Sequence, residues 1–225
     1  MSNQNDIKID FDRIAELEQN KWNHNNHYYN FLLRKIGKRR DDSLEIGCGT
    51  GEFCKLLALK SKQVTGIDLS PKMIEKAKKN SSVSNISFIN ADITDCDYVE
   101  NSFDCIVSIA TMHHLPYKAV LENAKQWLKI GGIILILDLY KSDTPADYFY
   151  SLIASPINVL MCLIKNKRIR QTPEEAEYWR EHSKHDQFMT IKEIKRIAYE
   201  VLPGAKVKRR LFWRYSLVWN KKVKS

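Results

Sequence analysis

No two of the chain's cysteines form a CxxC pair. The five present (Cys48, Cys54, Cys96, Cys105, Cys162) are scattered and odd in number. That argues against a disulfide framework or a cysteine zinc site and fits a reducing cytoplasm. Met1 to Asp10 contains no apolar h-region, so no signal peptide is expected. No run reaches the roughly 20 apolar residues of a spanning helix. The longest uncharged stretch, Tyr148 to Ile164, has 17 residues and is interrupted by Ser155-Pro156 and Asn158. Internal repeats and low-complexity linkers are also missing.

What is present suits a soluble α/β protein. At 225 residues with 44% apolar and 28% charged side chains, the chain can bury a good core. Its net charge of +9 is unevenly placed. Residues 1–140 balance 18 Lys/Arg against 18 Asp/Glu, whereas residues 141–225 carry 18 against 9. The basic excess therefore sits wholly in the last third, a feature of interest for partners.

Strand and helix signals alternate between these limits. After an amphipathic N-terminal stretch, Asp10 to Ile36, the pattern predicts strands at Ser43–Ile46, Val64–Ile67, Ile86–Ile89, Phe103–Ala110 and Ile133–Leu139. Helices are expected at Glu52–Leu59, Pro71–Lys79 and Tyr117–Leu128, the last ending at Gly131-Gly132. Such alternation means a doubly wound, mostly parallel sheet. The pattern changes at Lys141. Thr144 to Gln171 shows no strand alternation, and Pro173 to His185 looks helical. Thr190 and Glu193 form a capping box for a helix through Val201. Ala205–Leu211 and Arg214–Asn220 then read as a terminal hairpin.

Gly47-Cys48-Gly49-Thr50-Gly51 lies between the first strand and its helix, where glycines permit a sharp turn and close approach to a ligand. A dinucleotide fingerprint would have glycine at position 52. Glu52 stands there instead, and an acidic side chain at a helix start repels a pyrophosphate.

Together with Val64-Thr65-Gly66-Ile67-Asp68-Leu69-Ser70, Asn90-Ala91-Asp92-Ile93 and Leu128-Lys129-Ile130-Gly131-Gly132, the loop resembles the motifs of class I S-adenosylmethionine-dependent methyltransferases. The resemblance runs from Trp22 to the C-terminus. It implies a Rossmann-like seven-stranded sheet of order 3-2-1-4-5-7-6 with strand 7 antiparallel, helices on both faces and an inserted helical lid. It also implies S-adenosyl-L-methionine held by Gly47, Cys48 and Gly49, with Glu45 near its methionine amino end. Asp68 and Leu69 would lie at the ribose, Asp92 and Ile93 at the adenine, and Ala110 beside the methyl group. N-terminal helices of the family often fold over the cofactor, which points to Tyr28 or His24. Residues 1–225 are thus expected to form one methyltransferase domain: a helical cap (1–40), a cofactor core (41–140), an insertion or substrate lid (141–189), and a last helix with hairpin (190–225).

Methyl transfer from a sulfonium is an SN2 displacement in which positioning and desolvation can carry most of the rate. A base is needed only if the acceptor is protonated at working pH. The segment after strand four, Thr111-Met112-His113-His114-Leu115-Pro116, lacks both the Asn/Asp/Ser-Pro-Pro-aromatic motif of amino-methylating enzymes and the acidic metal ligand of catechol O-methyltransferases. His113 and His114 are then the candidate bases. In the insertion, His182 and His185-Asp186 are candidates to orient a substrate. Histidines three residues apart do not make a metal site alone, and none is expected.

The apolar run at Tyr148–Ile164, followed by Lys165-Asn166-Lys167-Arg168-Ile169-Arg170, admits a lid over an apolar pocket, a dimer contact or a patch on anionic lipid. Insertions here commonly form the acceptor site, which favours the lid. Lys206-Val207-Lys208-Arg209-Arg210-Leu211-Phe212-Trp213-Arg214 invites a nucleic-acid reading. Strand alternation, with aromatics inward and cations on an exposed edge, accounts for it more simply. The leading expectation is a cytoplasmic enzyme methylating a small, anionic or apolar acceptor. The alternatives are an RNA or protein methyltransferase and a non-catalytic cofactor-binding partner.

Overall fold

The computed structural model describes residues 4–17, 22–169 and 171–222. Arg170, the last cation of the basic run, falls outside them. One seven-stranded sheet organises the chain, in the order β3-β2-β1-β4-β5-β7-β6. The strands are β1 (Arg40–Ile46), β2 (Ser61–Asp68), β3 (Ile86–Asn90), β4 (Phe103–Ile109), β5 (Leu128–Leu139), β6 (Lys206–Arg210) and β7 (Arg214–Asn220). β1 to β5 pair in parallel and β7 runs antiparallel to both neighbours, matching the expected topology.

Alternation along the central strands sorts two apolar layers. Leu44, Ile46, Ile106, Ile134 and Ile136 face α5 (Tyr117–Trp127) and α8 (Ile191–Val201). Cys105, Val107, Ile133, Leu135 and Leu137 face α2 (Tyr29–Ile36) and α3 (Glu52–Ala58). β4 is buried on both sides, which is why it reads as a nearly continuous apolar run, Asp104 and Ser108 apart. α8 turns Ile191, Ile194, Ala198 and Val201 inward at helical spacing, and its Thr190–Glu193 capping box forms.

Two elements lie over the carboxyl ends of the strands. α1 (Gln4–Ile14) ties to the N-terminus of α4 (Pro71–Asn80), where Ser70 Oγ donates to Asp12 Oδ1 at 2.5 Å. α7 (Pro173–His182) packs against α1.

Three expectations about elements need correction. β5 begins at Leu128 and carries Gly131-Gly132 within it, because an irregularity against Phe103–Cys105 absorbs the extra residues. Ser155-Pro156 does not break the apolar insertion. α6 runs from Pro145 to Met161 with Pro156 inside, and a π-turn continues it through Asn166. Pro145–Asn166 is accordingly 22 residues long, enough by length and composition to cross a membrane. In the terminal hairpin, Arg214 is not an edge cation but is 7% exposed. The turn joining β6 to β7 holds Phe212 and Trp213 at φ 58° and 57°, strain that the complete burial of Phe212 offsets.

Candidate active site

The loop after β1 folds back onto β2. The Gly47 and Cys48 amides donate to the Ile67 carbonyl at 2.8 and 2.9 Å, and the Gly49 amide donates to Asp68 Oδ2 at 2.8 Å. Gly47 has φ +70°, and a Cβ there would lie 2.0 Å from Thr111 Oγ1. Gly49, at φ +51°, has open space on that side. The loop thus packs tightly against the β4 end and presents bare backbone to the cavity. Asp68 accepts a second backbone bond from the Ser70 amide at 2.9 Å, and burial raises its pKa. Its carboxylate keeps lone pairs for further donors.

Asp92 caps the short turn Ile93–Asp95, its Oδ1 accepting from Thr94 N and Oγ1. Glu45, at the end of β1, is 2% exposed and its Oε2 has no hydrogen-bond partner. Burial, and next the nearby Asp68 and Glu52 charges, push its pKa up to about 8. A cation delivered by a ligand would answer that orphaned acceptor.

These groups line one cavity of about 880 Å³, within the usual range for small-molecule sites. It crosses the carboxyl ends of the strands, from Asp68 and Asp92 after β2 and β3, past the glycine loop, to the ends of β4, β5 and β7. Ala110 lies in it at φ 51°, its amide held by the Leu137 carbonyl at 2.8 Å. Leu69 and Ile93 also line it, and α1 roofs it with Ile7, Phe11 and Ile14.

Tyr28 does not line the cavity. Its hydroxyl donates to the Leu211 carbonyl at 3.1 Å, and the neighbouring Tyr29 lines the cavity instead, bonded to Glu52 Oε2 at 3.1 Å. His24 lines it and is anchored by Asn158 Oδ1 at 2.8 Å. His185 likewise stays outside the lining, its Nδ1 donating to buried Asp10 at 2.7 Å.

His113 and His114 both face the cavity and differ in setting. The His113 amide and Nδ1 donate to the two oxygens of Asp138 at 2.9 and 2.7 Å. Burial alone would lower the pKa of His113, but the Asp138 carboxylate lifts it to about 9. His114 is pulled down to about 3 by burial and by neighbouring His113 and His182. His182 and Asp186 close on the same point, with Phe11 edge-on to His114 and His182.

Sequence patterns did not single out Asp138, hidden in an apolar strand, or Arg214. Arg214 lines the cavity at the β7 start, opposite Leu139. Its Nε donates to Asn25 Oδ1 at 3.0 Å, and it makes no salt bridge within 4.0 Å among the described residues. Burial lowers its pKa to about 10. Of the supposed lid, Asn158, Cys162, Asn166, Arg168 and Ile169 reach the cavity, Ile157 and Met161 pack on the core, and Phe149, Leu152 and Leu160 of α6 face away from the protein.

A glycine-loop site at the strand ends of a 3-2-1-4-5-7-6 sheet defines a Rossmann-like methyltransferase fold. Residues 44–136 match the family model described as a methyltransferase domain. The chain is 37% identical over 128 residues to a malonyl-[acyl-carrier protein] O-methyltransferase of Anoxybacillus flavithermus, covering 55% of this chain and 46% of that protein. It therefore spans about half the length of that curated relative. Against a demethylmenaquinone methyltransferase of Staphylococcus aureus the match is 27% over 175 residues, or 75% and 70% of the two chains. The solved N-methyltransferase NodS of Bradyrhizobium japonicum superposes with a TM-score of 0.65 at 18% identity, covering 96% and 98%. Residues 44–136 are thus a methyltransferase domain, and the relatives and structural neighbours support a class I S-adenosylmethionine-dependent methyltransferase.

Proposed function

We propose that this protein transfers the methyl group of S-adenosylmethionine, in the cytoplasm, to a small-molecule acceptor with an apolar body and an anionic group. The continuous cavity carries the reading. Its β1–β3 side offers what the cofactor requires, and its β4–β7 side leaves a second compartment beside it. Bound S-adenosylmethionine supplies an electrophilic methyl group on a sulfonium.

The chain's own residues supply position and dryness. Asp68, locked by two backbone amides, is set to accept from a ribose hydroxyl. Asp92 and the Ile93 backbone lie where an adenine edge would be read. Glu45 offers the buried counter-charge for an ammonium. Ala110 and Thr111 wall the compartment boundary, and the roof of α1 and α7 excludes water, the setting in which an SN2 transfer gains most from orientation. His113, tied to Asp138, serves positioning rather than proton abstraction.

Arg214 favours an anionic acceptor. A guanidinium buried without a carboxylate partner is costly, and a ligand carboxylate or phosphate would offset that cost with charge-assisted hydrogen bonds. The same burial weakens the nucleic-acid alternative. Arg209 is bound to Asp147, Arg210 stacks over Phe31 at 4.1 Å, and Arg214 faces inward, leaving Lys206 and Lys208 as the exposed cations of β6.

Turnover should be measured at saturating cofactor over paired acceptors that differ as acid and methyl ester. Acids should be preferred, and Arg214→Gln should raise their KM roughly tenfold or more while S-adenosylhomocysteine binding is kept. Equal use of acid and ester, unaffected by Arg214→Gln, removes the anionic acceptor. Cofactor binding with no turnover on any acceptor would instead make the chain a binding partner.

A further inference from the structure

We propose that His113, His114, His182 and Asp186 form a binding site for one divalent first-row transition ion on the acceptor side of the cavity. The Nε2 atoms of the three histidines lie 3.6, 3.7 and 3.6 Å from one atom, Asp186 Oδ1. Those separations are too long for hydrogen bonds. They come close to the edge of a coordination tetrahedron, about 3.3–3.4 Å for metal–ligand bonds of about 2.0–2.1 Å. One ligand atom from each of the four residues lies within 4.8 Å of the others.

Burial makes the arrangement expensive unless something joins it. The side chains of His114 and His182 are 4% and 5% exposed, and that of Asp186 is 11% exposed. Both ring nitrogens of His114, Nδ1 of His182 and Oδ1 of Asp186 have no hydrogen-bond partner. Buried polar atoms without partners are rare because each costs free energy. Asp186 Oδ1 and His114 Nε2 are among those that meet at the cluster, and a cation there would satisfy both, while His182 Nδ1 is turned to Asp10 and His182 offers Nε2.

The surroundings are those of a ligand shell. Asp138 accepts from His113 Nδ1, so Nε2 is the nitrogen turned to the cluster, and an ion bound there would displace its proton. Asp10, itself held by His185, stands 3.6 Å from His182 Nδ1. Three imidazoles with one carboxylate suit zinc, iron, nickel or copper and disfavour magnesium and calcium. The ligands come from two places in the chain: the turn after β4, and the end of α7 with the loop beyond it. An ion held by all four would therefore fasten the insertion to the sheet.

The test uses the full chain, free of any histidine tag, stripped with chelator and then loaded with Zn²⁺ or Co²⁺ alone. One equivalent should survive desalting, and cobalt should give the intense visible bands of a four-coordinate site. Asp186→Asn and His114→Ala should each weaken zinc binding at least tenfold, and Asp138→Asn between about ten- and a hundredfold, with far-UV circular dichroism reporting retained folding. Substoichiometric uptake by the folded wild type, or unchanged affinity in folded ligand variants, overturns the site.

A different observation carries a second inference. α6 sets a mixed face against the protein, Asp147, Ser151 and Asn158 beside Ala154, Ile157 and Met161, and turns a second, largely apolar face outward. Asp147 binds Arg209, Ser151 accepts from Trp213 Nε1 at 3.1 Å, and Asn158 accepts from His24 at 2.8 Å. Beyond the helix, Asn166 pairs with the Trp22 backbone. On the opposite face Phe149, Leu152, Leu160, Leu163 and Ile164 are all more than half exposed. Polar ties to the body along its length argue against a spanning helix. Lys165 and Lys167 directly follow the apolar face, within the third of the chain that holds all the excess positive charge.

We infer that this face lies in the headgroup region of an anionic bilayer, the binding mode of interfacial helices. The wild type should co-sediment with phosphatidylglycerol-containing vesicles and much less with phosphatidylcholine alone. Leu152→Glu with Ile164→Glu should reduce the bound fraction at least tenfold. Absence of sedimentation with anionic vesicles overturns the assignment, as does a dimer in solution that the same double substitution dissociates, which would give the face to a second copy.

Discussion

Glu45 shows how much one buried carboxyl can govern. In the unliganded protein its pKa stands near 8, well above the ordinary value of 4.5. An acid whose folded pKa is raised holds its proton on folding. Its contribution to stability is full below the unfolded pKa and declines as pH rises from about 4.5 to about 8, by ~1.4 kcal/mol for each pH unit. A cationic ligand reverses this by favouring the ionised form. Glu45→Gln should therefore raise the melting temperature of the unliganded protein at pH 8, change it little at pH 5, and weaken S-adenosylhomocysteine binding at pH 8 tenfold or more. Melting curves at the two pH values and calorimetric titration check it. A glutamine variant that loses stability at pH 8 contradicts the assignment. At the residue scale, too, local pattern does not say which neighbour faces a cavity. Tyr28 and Tyr29 are adjacent, and one step near a helix start turns a side chain by about 100°, so Tyr29 and His24 line the cavity while Tyr28 does not. Arg214 looked like another edge cation because alternation gives the sense of a strand, not which sense a cavity requires.

At the scale of elements, periodicity was informative wherever apolar residues face the protein. α8 is the plainest case, with cap, inward stripe and stop all local. It covers the sheet face through α5 and stays out of the cavity lining. Thr190→Ala should cost about 1 kcal/mol, lowering the melting temperature by roughly 2–4 °C for a chain of this size, with turnover at 25 °C unchanged. Differential scanning calorimetry and a parallel assay decide it, and a loss of turnover without loss of stability would show that α8 reaches the site. α6 is the opposite case. Reading an apolar run as a pocket lining assumes that apolar means inward, and the polar partners of Asp147, Ser151 and Asn158 come from distant segments that no window contains. The cofactor motifs were legible because each lies in a single strand-to-loop junction. The histidine cluster was not, since it joins the β4 turn to residues about 70 positions further on, and Asp138 is masked by the apolar strand around it.

For the whole molecule, the site is assembled from parts of the chain that lie far apart in sequence. The floor is the strand ends of one sheet, while the roof is α1 from the N-terminus and α7 from the insertion. Phe11 links the two, its ring 5.5 and 4.7 Å from those of His114 and His182. Cofactor binding should consequently draw on the packing of the roof as well as on the motifs. At a hundredfold excess over Kd, a ligand adds about 2.7 kcal/mol to stability, which for a chain of this length corresponds to a rise of roughly 5–11 °C. Phe11→Ala removes the ring that spans the roof yet leaves the glycine loop, Asp68 and Asp92, proposed above to hold the cofactor, untouched. It should lower the unliganded melting temperature modestly and weaken S-adenosylhomocysteine so that the shift at a fixed ligand concentration falls by at least half. Thermal melts across a ligand titration separate the two effects, because stability at zero ligand and Kd are read from the same curves. An unchanged Kd in a destabilised Phe11→Ala would mean that the cofactor is held by the sheet alone and that the roof serves only the acceptor side.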